Sequence, residues 1–297
     1  MKRLISCYSS DFNNMTRADF KQSILASEGR TIMAETVVTA TPLLEGITNA
    51  EVMASFGADL IVLNEYDVFE KSIVGFPSSE NPIEQIKKLC GRPIGINLEP
   101  VDEEAEILDI KVPLSKGRKA SREAFIEAEN QGIDFIMLTG NPSTGVTNIA
   151  IKQAIQVARE NFSGLLFAGK MHGAGVSEKI VNIEELIAFV KLGADGVLIP
   201  SVGTVPGLSE VEAHEAVVAI KQMDGLVIHT IGTSQESADE ATIREFGISN
   251  KRVGGDIHHI GDAGYGRMPL PENIMQLGIT VRGKRHTYFR MASSVRR

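Results

Sequence analysis

Eight short apolar runs recur along the chain, separated by segments whose apolar residues have helical spacing. Three of the runs share one phrase: FGADLIVLN at 56–64, QGIDFIMLTG at 131–140 and LGADGVLIP at 192–200. In each phrase a glycine ends a helix, a hydrophobic residue and an aspartate follow, and a buried strand begins at once. This order is typical of the αβ turns that join helices to parallel strands.

The runs predict eight strands, and no connection between them has the pattern of a hairpin. The strands are TIMAETVV, LIVLN, PIGINL, FIMLTG, LLFAGK, GVLIP, LVIHTI and a weaker VGGDIHHIG. Eight strand–helix units in a chain of 297 residues have the size and rhythm of a (β/α)₈ TIM barrel. A doubly wound sheet is the alternative, but no G-x-G-x-x-G follows the first strand. We therefore predict an α/β fold with one TIM barrel.

The first 30 residues precede the barrel. Within them, TRADFKQSILASEG at 16–29 has a helical pattern with Thr16 as its N-cap. We expect this extra N-terminal helix to close the bottom of the barrel. No linker or low-complexity segment divides the chain, so we expect one domain over residues 1–297, with residues 1–30 as an N-terminal extension.

The amino-acid composition limits the kinds of binding partner and indicates a cellular compartment. The formal net charge of -8 and the pI near 5.4 argue against a nucleic-acid-binding protein. Cys7 and Cys90 have neither metal-ligand spacing nor a disulfide framework, as expected in a reducing cytoplasm. No apolar run approaches the roughly 18 residues that a membrane span needs. We expect a cytoplasmic protein that binds neither nucleic acid nor membranes.

A lysine ends one of the most apolar runs, LLFAGKMHGAGV at 165–176. A buried charge is costly unless something pairs with it or needs it. If the bulky Phe167 and Met171 face the helix layer, strand alternation points Lys170 and His172 into the barrel mouth. There Lys170 is a candidate Schiff-base nucleophile, proton-transfer base or anion holder. A structural ion pair inside the barrel is the alternative.

The same alternation selects polar residues on other strands, at the ends that carry the active sites of barrels. The candidate catalytic residues are Lys170, His172, Glu99, Asp256 and Glu35, with Glu99 and Asp256 as counter-charges for the lysine. The candidate substrate-binding residues are Asn64, Asn97, Thr139, Asn141 and His258. Alternation allows only one of Asn64 and Glu65 to point inward, and it turns His259 away from His258.

The loops after the seventh and eighth predicted strands are candidates for holding a small anion. Barrels often bind phosphate there, with backbone N–H groups and glycines that allow a close approach. The predicted phosphate-binding residues are Gly232, Thr233, Ser234, Gly261 and Gly264. The carboxylates near the strand ends could also hold Mg²⁺, with Glu65 and Asp262 as possible ligands.

In order along the chain, LTGNPSTGVTN, AGKMHGAGV, IGTSQESAD, GGDIHHIGDAGYG and PENIMQLGITVRGKRHTYFRMA resemble an uncharacterised bacterial family. Its members are loosely labelled haloacid-dehalogenase-like hydrolases or phosphoenolpyruvate-phosphomutase-like proteins. The resemblance implies a barrel and brings no assigned catalytic residue. A haloacid-dehalogenase phosphatase needs D-x-D-x-[TV] after its first strand, where this chain has AETVV. The phosphomutase label fits a barrel with Mg²⁺, although its cysteine-containing loop has no match here.

These observations favour a lyase or isomerase that acts on a small phosphorylated or carboxylated metabolite, an anionic partner. The alternatives are a non-catalytic metabolite-binding or regulatory barrel, and a phosphate-ester hydrolase, which lacks its nucleophile motif. We also expect a homo-oligomer, because the helix NIAIKQAIQVA shows much apolar surface. The basic stretch from residue 282 to 297 is predicted to be a solvated helix or a subunit contact.

Overall fold

The eight predicted strands form a closed parallel barrel in sequential order. A computed structural model describes residues 2–108 and 110–297. The strands are β1 Thr31–Val37, β2 Leu60–Asn64, β3 Ile94–Leu98, β4 Phe135–Leu138, β5 Leu165–Gly169, β6 Gly196–Pro200, β7 Leu226–Ile231 and β8 Ile257–Ile260. The predicted TIM barrel is confirmed.

Helices precede the barrel and cover its outside, and most begin at a side-chain cap. They are α1 Ser9–Phe12, α2 Arg17–Leu25, α3 Asn49–Ser55, α4 Pro82–Cys90, α5 Arg122–Asn130, α6 Asn148–Asn161, α7 Ile183–Lys191, α8 Glu210–Lys221, α9 Glu240–Val253 and α10 Pro271–Ala292. Gly283, with a φ of 75°, interrupts α10. Among the described residues, no helix is both long and apolar enough to cross a membrane.

The N-terminal helix α2 closes the barrel from below, as predicted. Thr16 caps it by accepting a hydrogen bond from the backbone of the third helical residue. Phe20 and Ile24 of α2 are buried, and they pack in one cluster with inward residues at the lower ends of the strands, including Leu60 and Ile257. The N-terminal extension therefore supplies the floor of the barrel core.

An aspartate directly before each even-numbered strand forms two hydrogen bonds with the preceding odd-numbered strand. Its carboxylate accepts the backbone N–H of one residue, and its own N–H donates to the carbonyl of that residue. The pairs are Asp59 with Ile32 (2.8 Å), Asp134 with Ile94 (2.7 Å), Asp195 with Leu166 (2.9 Å) and Asp256 with Val227 (2.9 Å). We call these four residues the latch aspartates. They explain the aspartate of the repeated phrase.

Each latch aspartate also has a cationic partner, and the pairing at Asp59 is completely buried. Arg282 lies 2.5 Å and Arg290 2.6 Å from its carboxylate. Burial alone would raise the pKa of Asp59, but these guanidiniums lower it below its usual value. Arg290 also donates to the carbonyls of Cys7 and Leu4. The prediction that the basic C-terminal stretch is solvated is therefore wrong for these two arginines.

The assignment of Asp256 to the catalytic residues is contradicted by its position. Asp256 directly precedes β8, at the end of the barrel opposite the strand carboxyl ends. Its carboxylate accepts from the backbone of Val227 and pairs with Lys221 at 3.0 Å. It serves as a latch and does not pair with Lys170.

Large apolar side chains fill the lower layers of the barrel interior. Met33, Phe135, Phe167 and Leu198 belong to this cluster, with Met171 packed against it. The expectation that bulky residues of β5 face the helix layer is therefore wrong. The interior of an eight-stranded barrel is just wide enough for side chains to fill, and here large apolar residues provide most of that filling.

Two buried histidines lie between the sheet and its helices. His229 on β7 and His258 on β8 are register neighbours and fully buried. His258 donates to the carbonyl of Gly29 at 2.9 Å, so its predicted role in substrate binding is contradicted by its position. Among the described residues no partner meets full hydrogen-bond geometry at the ring nitrogens of His229, although the carbonyl of Pro200 lies close. Burial lowers the pKa of His229 to about 3 and that of His258 to about 4.

We expect these histidines to make the fold acid-sensitive. Their folded-state pKa values lie below the unfolded value of about 6.5, so stability is full above that pH and falls as pH decreases toward the folded values. For His229 the loss between about pH 7 and pH 5 is roughly 2 kcal/mol. Urea denaturation of wild type and His229→Gln at both pH values measures it. An equal pH-dependent loss in the two proteins would contradict this account.

Candidate functional site

A polar cavity of about 480 Å³ opens at the carboxyl ends of the strands. Most of the predicted site residues line it: Glu35, Asn64, Asn97, Thr139, Asn141, His172, Gly232, Thr233, Ser234, Gly261 and Asp262. The cavity of about 640 Å³ at the opposite end, beside α2, lies away from the strand ends that carry these residues. We refer to the cavity at the strand carboxyl ends as the barrel-mouth cavity.

The first polar group of the floor centres on Glu35 of β1. One of its carboxylate oxygens accepts a hydrogen bond from the side-chain amide of Asn97, two strands away on β3. The other lies 2.7 Å from Nε2 of His259. Glu35 and Asn97 are almost fully buried, and His259 is completely buried. His259 therefore faces the interior of the barrel. The prediction from the sequence was the reverse, with His258 in the site and His259 facing away from it.

A second group joins β2, β4 and the loop after β8. The amide nitrogen of Asn64 donates to Asn141 at 2.9 Å and to a carboxylate oxygen of Asp262 at 2.6 Å. Behind Asn141, Glu99 accepts from its backbone and side-chain nitrogens, both at 2.8 Å. Glu99 pairs with Arg118 at 3.0 Å. Glu99 is thus not the counter-charge of Lys170; it positions Asn141.

Three titratable groups of the cavity have shifted pKa values. Burial, reinforced by the nearby negative charge of Glu35, raises the pKa of Asp262 to about 7. Burial also raises the pKa of Glu236. The pKa of His172 is lowered, mainly by burial, and its Nδ1 accepts the backbone N–H of Ala174. The cavity therefore contains an imidazole that burial favours in its neutral form and, in Asp262, a carboxyl group that can exchange a proton near neutral pH.

Sequence reasoning missed Glu236 and Arg267, which both line the cavity. Glu236 is fully buried, and within residues 2–108 and 110–297 no donor meets full hydrogen-bond geometry at its oxygens, although the backbone N–H groups of Glu236 and Ala263 lie close. It lies in a short 3-10 helix, Gln235–Ser237, that follows β7. Because it lies beyond the strand, alternation carries no signal for it. A glutamate inside a predicted phosphate-binding loop was the available clue.

Lys170 occupies a different position from the predicted one. It is buried, but its ammonium pairs with Glu178 of the following loop, and Lys170 does not line the cavity. Glu178 also accepts the backbone N–H of Asn148 at 3.0 Å. The prediction of a pair with Glu99 or Asp256 is wrong, because β5 turns Phe167 and Met171 inward. Lys170 instead ties the β5–α7 loop to the start of α6.

Three other candidate residues are not positioned to make all of the ligand contacts predicted for them. Glu65 has a φ of 62° and accepts from the hydroxyl of Thr39, away from the cavity. Gly264 packs against the carbonyl of Met268 and does not line the cavity. The hydroxyl of Thr233 donates to the carbonyl of Thr204 at 2.7 Å. Of its predicted anion contacts, only the backbone N–H remains.

The cavity oxygens do not form a ready Mg²⁺ site. Within residues 2–108 and 110–297, no three His, Cys, Asp or Glu side chains are grouped as metal ligands. Both Glu35 oxygens are held by Asn97 and His259, and one Asp262 oxygen is held by Asn64. Mg²⁺ requires near-octahedral oxygen ligands. The described residues therefore form no preassembled Mg²⁺ cluster, and we assign no step to a metal ion.

The stability of the fold should depend on the counter-charge of the buried Lys170 ammonium. Glu178→Ala leaves the ammonium, whose side chain is 1% exposed, without a counter-charge. We expect the free energy of unfolding to fall by about 3 kcal/mol. Lys170→Met should cost less, because Glu178 is 30% exposed and remains hydrated.

A double-mutant cycle in urea provides the control. The double variant Lys170→Met, Glu178→Ala should be more stable than Glu178→Ala alone, since it contains no buried unpaired charge. Equal losses in the two single variants, with additive losses in the double variant, would contradict the pairing.

The chain resembles known proteins at the level of family and of fold. A family model described as DUF7916, a domain of unknown function, matches residues 5–297. No curated protein sequence matches the chain. Similar solved structures share the fold at low sequence identity, which shows the fold alone.

Three of these structures have identities of 14–16%. One is 2,3-dimethylmalate lyase, a member of the PEP mutase/isocitrate lyase superfamily, at 14% identity over 85% of this chain and 83% of that chain, with a TM-score of 0.52. Another is oxaloacetate acetylhydrolase, at 14% identity over 82% and 80%, with a TM-score of 0.50. A protein of Burkholderia cenocepacia J2315, provisionally described as a lyase/mutase, has 16% identity over 84% of both chains and a TM-score of 0.51. The chain belongs to the DUF7916 family, and its barrel is structurally similar to those of the PEP mutase/isocitrate lyase superfamily.

Proposed function

We propose that the protein is a lyase or isomerase that transfers protons on a small carboxylated or phosphorylated metabolite bound in the barrel-mouth cavity. The observation that carries this proposal is Asp262, whose pKa is raised to about 7 in a cavity that also contains Glu35. A carboxyl group with this pKa is half ionised at neutral pH, which suits a general acid or base.

Each polar residue of the floor has a distinct role in this proposal. Asn64 donates to Oδ2 of Asp262, so the transferred proton is better accommodated on Oδ1. Glu35 is held from both sides by Asn97 and His259, and it therefore acts as a fixed negative charge beside Asp262. This charge opposes ionisation of Asp262 and keeps it able to exchange a proton near neutral pH.

The anionic end of the substrate would bind at the outer loops. Arg267 is exposed at the rim and supplies a permanent positive charge. Thr233 and Ser234 have φ values of 56° and 67°, a turn conformation that can direct neighbouring backbone N–H groups toward one anion. These features support the predicted phosphate or carboxylate contact through Gly232, Thr233 and Ser234, with Gly261 allowing close approach.

The choice of test substrates follows from the acid–base groups and from the neighbours. By their names, two similar barrels act on 2,3-dimethylmalate and on oxaloacetate. Small carboxylates therefore lead the panel, followed by phosphate esters of the same size. The support for an activity of this protein comes from the cavity itself, because a shared barrel does not transfer an activity.

The first test is proton exchange in D₂O. We expect the wild-type protein to act on at least one member of the panel. NMR would detect this as deuterium incorporation, cleavage or isomerisation of the compound. Asp262→Asn cannot exchange the proton and should lower the rate by roughly 10²–10⁴-fold. Glu245→Gln, at an exposed position of α9, is the matched control and should retain the rate.

The pH profile tests the role of Asp262 as a base. Activity should fall as pH decreases below about 7, since the protonated carboxyl group cannot accept a proton, and Asp262→Asn should lose this limb. Panel members that bind without any exchange or turnover would contradict an enzyme and favour a metabolite-binding barrel.

A second test addresses the anion contact. Inorganic phosphate that binds only the folded state should raise the melting temperature. At a hundredfold excess over the dissociation constant, the free energy of unfolding should increase by about 2.7 kcal/mol. Arg267→Gln should reduce this rise, whereas Arg244→Gln, exposed on α9, should not. An equal rise in all three proteins would contradict the site.

A further inference from the structure

The floor of the barrel-mouth cavity has hydrogen-bond acceptors that nothing in the described chain fills. Three side chains carry them: Asn97, Thr139 and Glu236. The amide nitrogen of Asn97 is committed to Glu35, so its free atom is the carbonyl oxygen, which only accepts. No donor in the described chain meets full hydrogen-bond geometry at the two oxygens of Glu236, and the nearby backbone N–H groups of Glu236 and Ala263 leave them further capacity to accept. The hydroxyl of Thr139 can accept as well as donate.

Such groups are costly in a folded protein unless a ligand completes them. All three side chains are at least 96% buried, with exposures of 4% for Asn97, 2% for Thr139 and none for Glu236. A buried polar atom without a partner costs about 1–3 kcal/mol, and more when it is charged. The unfilled acceptors on the cavity floor therefore indicate where a ligand group belongs, and they require that group to donate hydrogen bonds.

The charge of the cavity lining selects among donor groups. Three carboxyl groups line it, those of Glu35, Glu236 and Asp262, against one arginine, Arg267, at the exposed rim. Burial keeps His172 in its neutral form by lowering its pKa. A concave site with excess negative charge concentrates cations. A carboxylate or phosphate on this floor would face acceptors and negative charge.

Of the common ligand groups, a primary ammonium matches both requirements. It provides three N–H donors, no acceptor and a compact positive charge. A hydroxyl group provides only one donor. Its lone pairs would need hydrogen-bond donors, which the unfilled acceptors of the floor do not provide. The ammonium would also form charge-assisted bonds with Glu236, which are about twice as strong as neutral ones.

We infer that the floor of the barrel-mouth cavity binds the protonated amino group of the substrate, through Glu236, Asn97 and Thr139. Combined with an anionic end at the outer loops, which rests on the proposed function, this makes the substrate a small zwitterion: an amino-carboxylate or an amino-alkyl phosphate ester. The inference concerns the ligand class and is independent of which proton Asp262 transfers.

Matched ligands that differ in one group test the inference. The first series is 3-aminopropionate, 3-hydroxypropionate and propionate; the second is 2-aminoethyl, 2-hydroxyethyl and ethyl phosphate. Calorimetric titration of the whole protein should show the amine of at least one series binding roughly 10-fold or more tighter than its two counterparts. This factor corresponds to one charge-assisted hydrogen bond.

Variants of the floor locate the preference. Glu236→Gln removes the negative charge and should reduce the amine preference by roughly 10-fold, while Glu245→Gln should leave it unchanged. Thr139→Val provides a second floor variant should Glu236→Gln fail to fold, and it should also weaken the preference.

The outcomes separate this inference from the proposed function. Hydroxy or unsubstituted ligands that bind as tightly as the amines would overturn the inference, as would the absence of amine binding in both series. An amine preference that persists in both floor variants would overturn the assignment to this floor. Proton exchange on a ligand without an amino group would leave the proposed function standing and this inference refuted.

Discussion

The latch aspartates are the interaction on which the barrel geometry depends. Asp59, Asp134, Asp195 and Asp256 each make a two-bond clamp between the start of an even-numbered strand and the preceding odd-numbered strand. Clamping the strands in pairs fixes their stagger, and the stagger of a closed barrel decides which side chains face the interior. At Asp59 the clamp includes Arg282 and Arg290 of α10, so the C-terminal helix is secured to the same point.

The same register divides the interior into two regions with different chemistry. The lower layers are apolar, with Phe135 and Phe167 in edge-to-face contact at a centroid distance of 6.1 Å. The upper layer is polar and contains Glu35, Asn97 and His259. Carboxyl groups directly above an apolar core lose hydration, which is the main reason the pKa values of Asp262 and Glu236 are raised. The core thus contributes to the acid–base properties of the cavity.

Loops from the middle strands complete one wall of the cavity through backbone hydrogen bonds. Gly145 donates to the carbonyl of Ala174, Leu108 donates to Gly175, and Val112 donates to Ser143. These bonds connect the segments that follow β3, β4 and β5. The Lys170–Glu178 pair secures the loop after β5 to the start of α6. A residue predicted to be at the centre of the chemistry therefore supports the loops that enclose it.

The sequence alone determined the barrel, because glycine-ended helices followed by apolar runs specify parallel strand–helix units whatever the details of packing. It also placed Glu35, Asn64, Asn97, Thr139 and Asn141 at the cavity, since each lies at the carboxyl end of a strand. Alternation on a single strand, however, relates neighbouring side chains without saying which face is the interior. The tertiary structure decided this on β5 and β8, where the need to fill the barrel turned Phe167 and His259 inward and left Lys170 and His258 to other partners. Glu236 and the cation partners of the latch aspartates depend on contacts between segments distant in the chain, and only the folded structure brings those together.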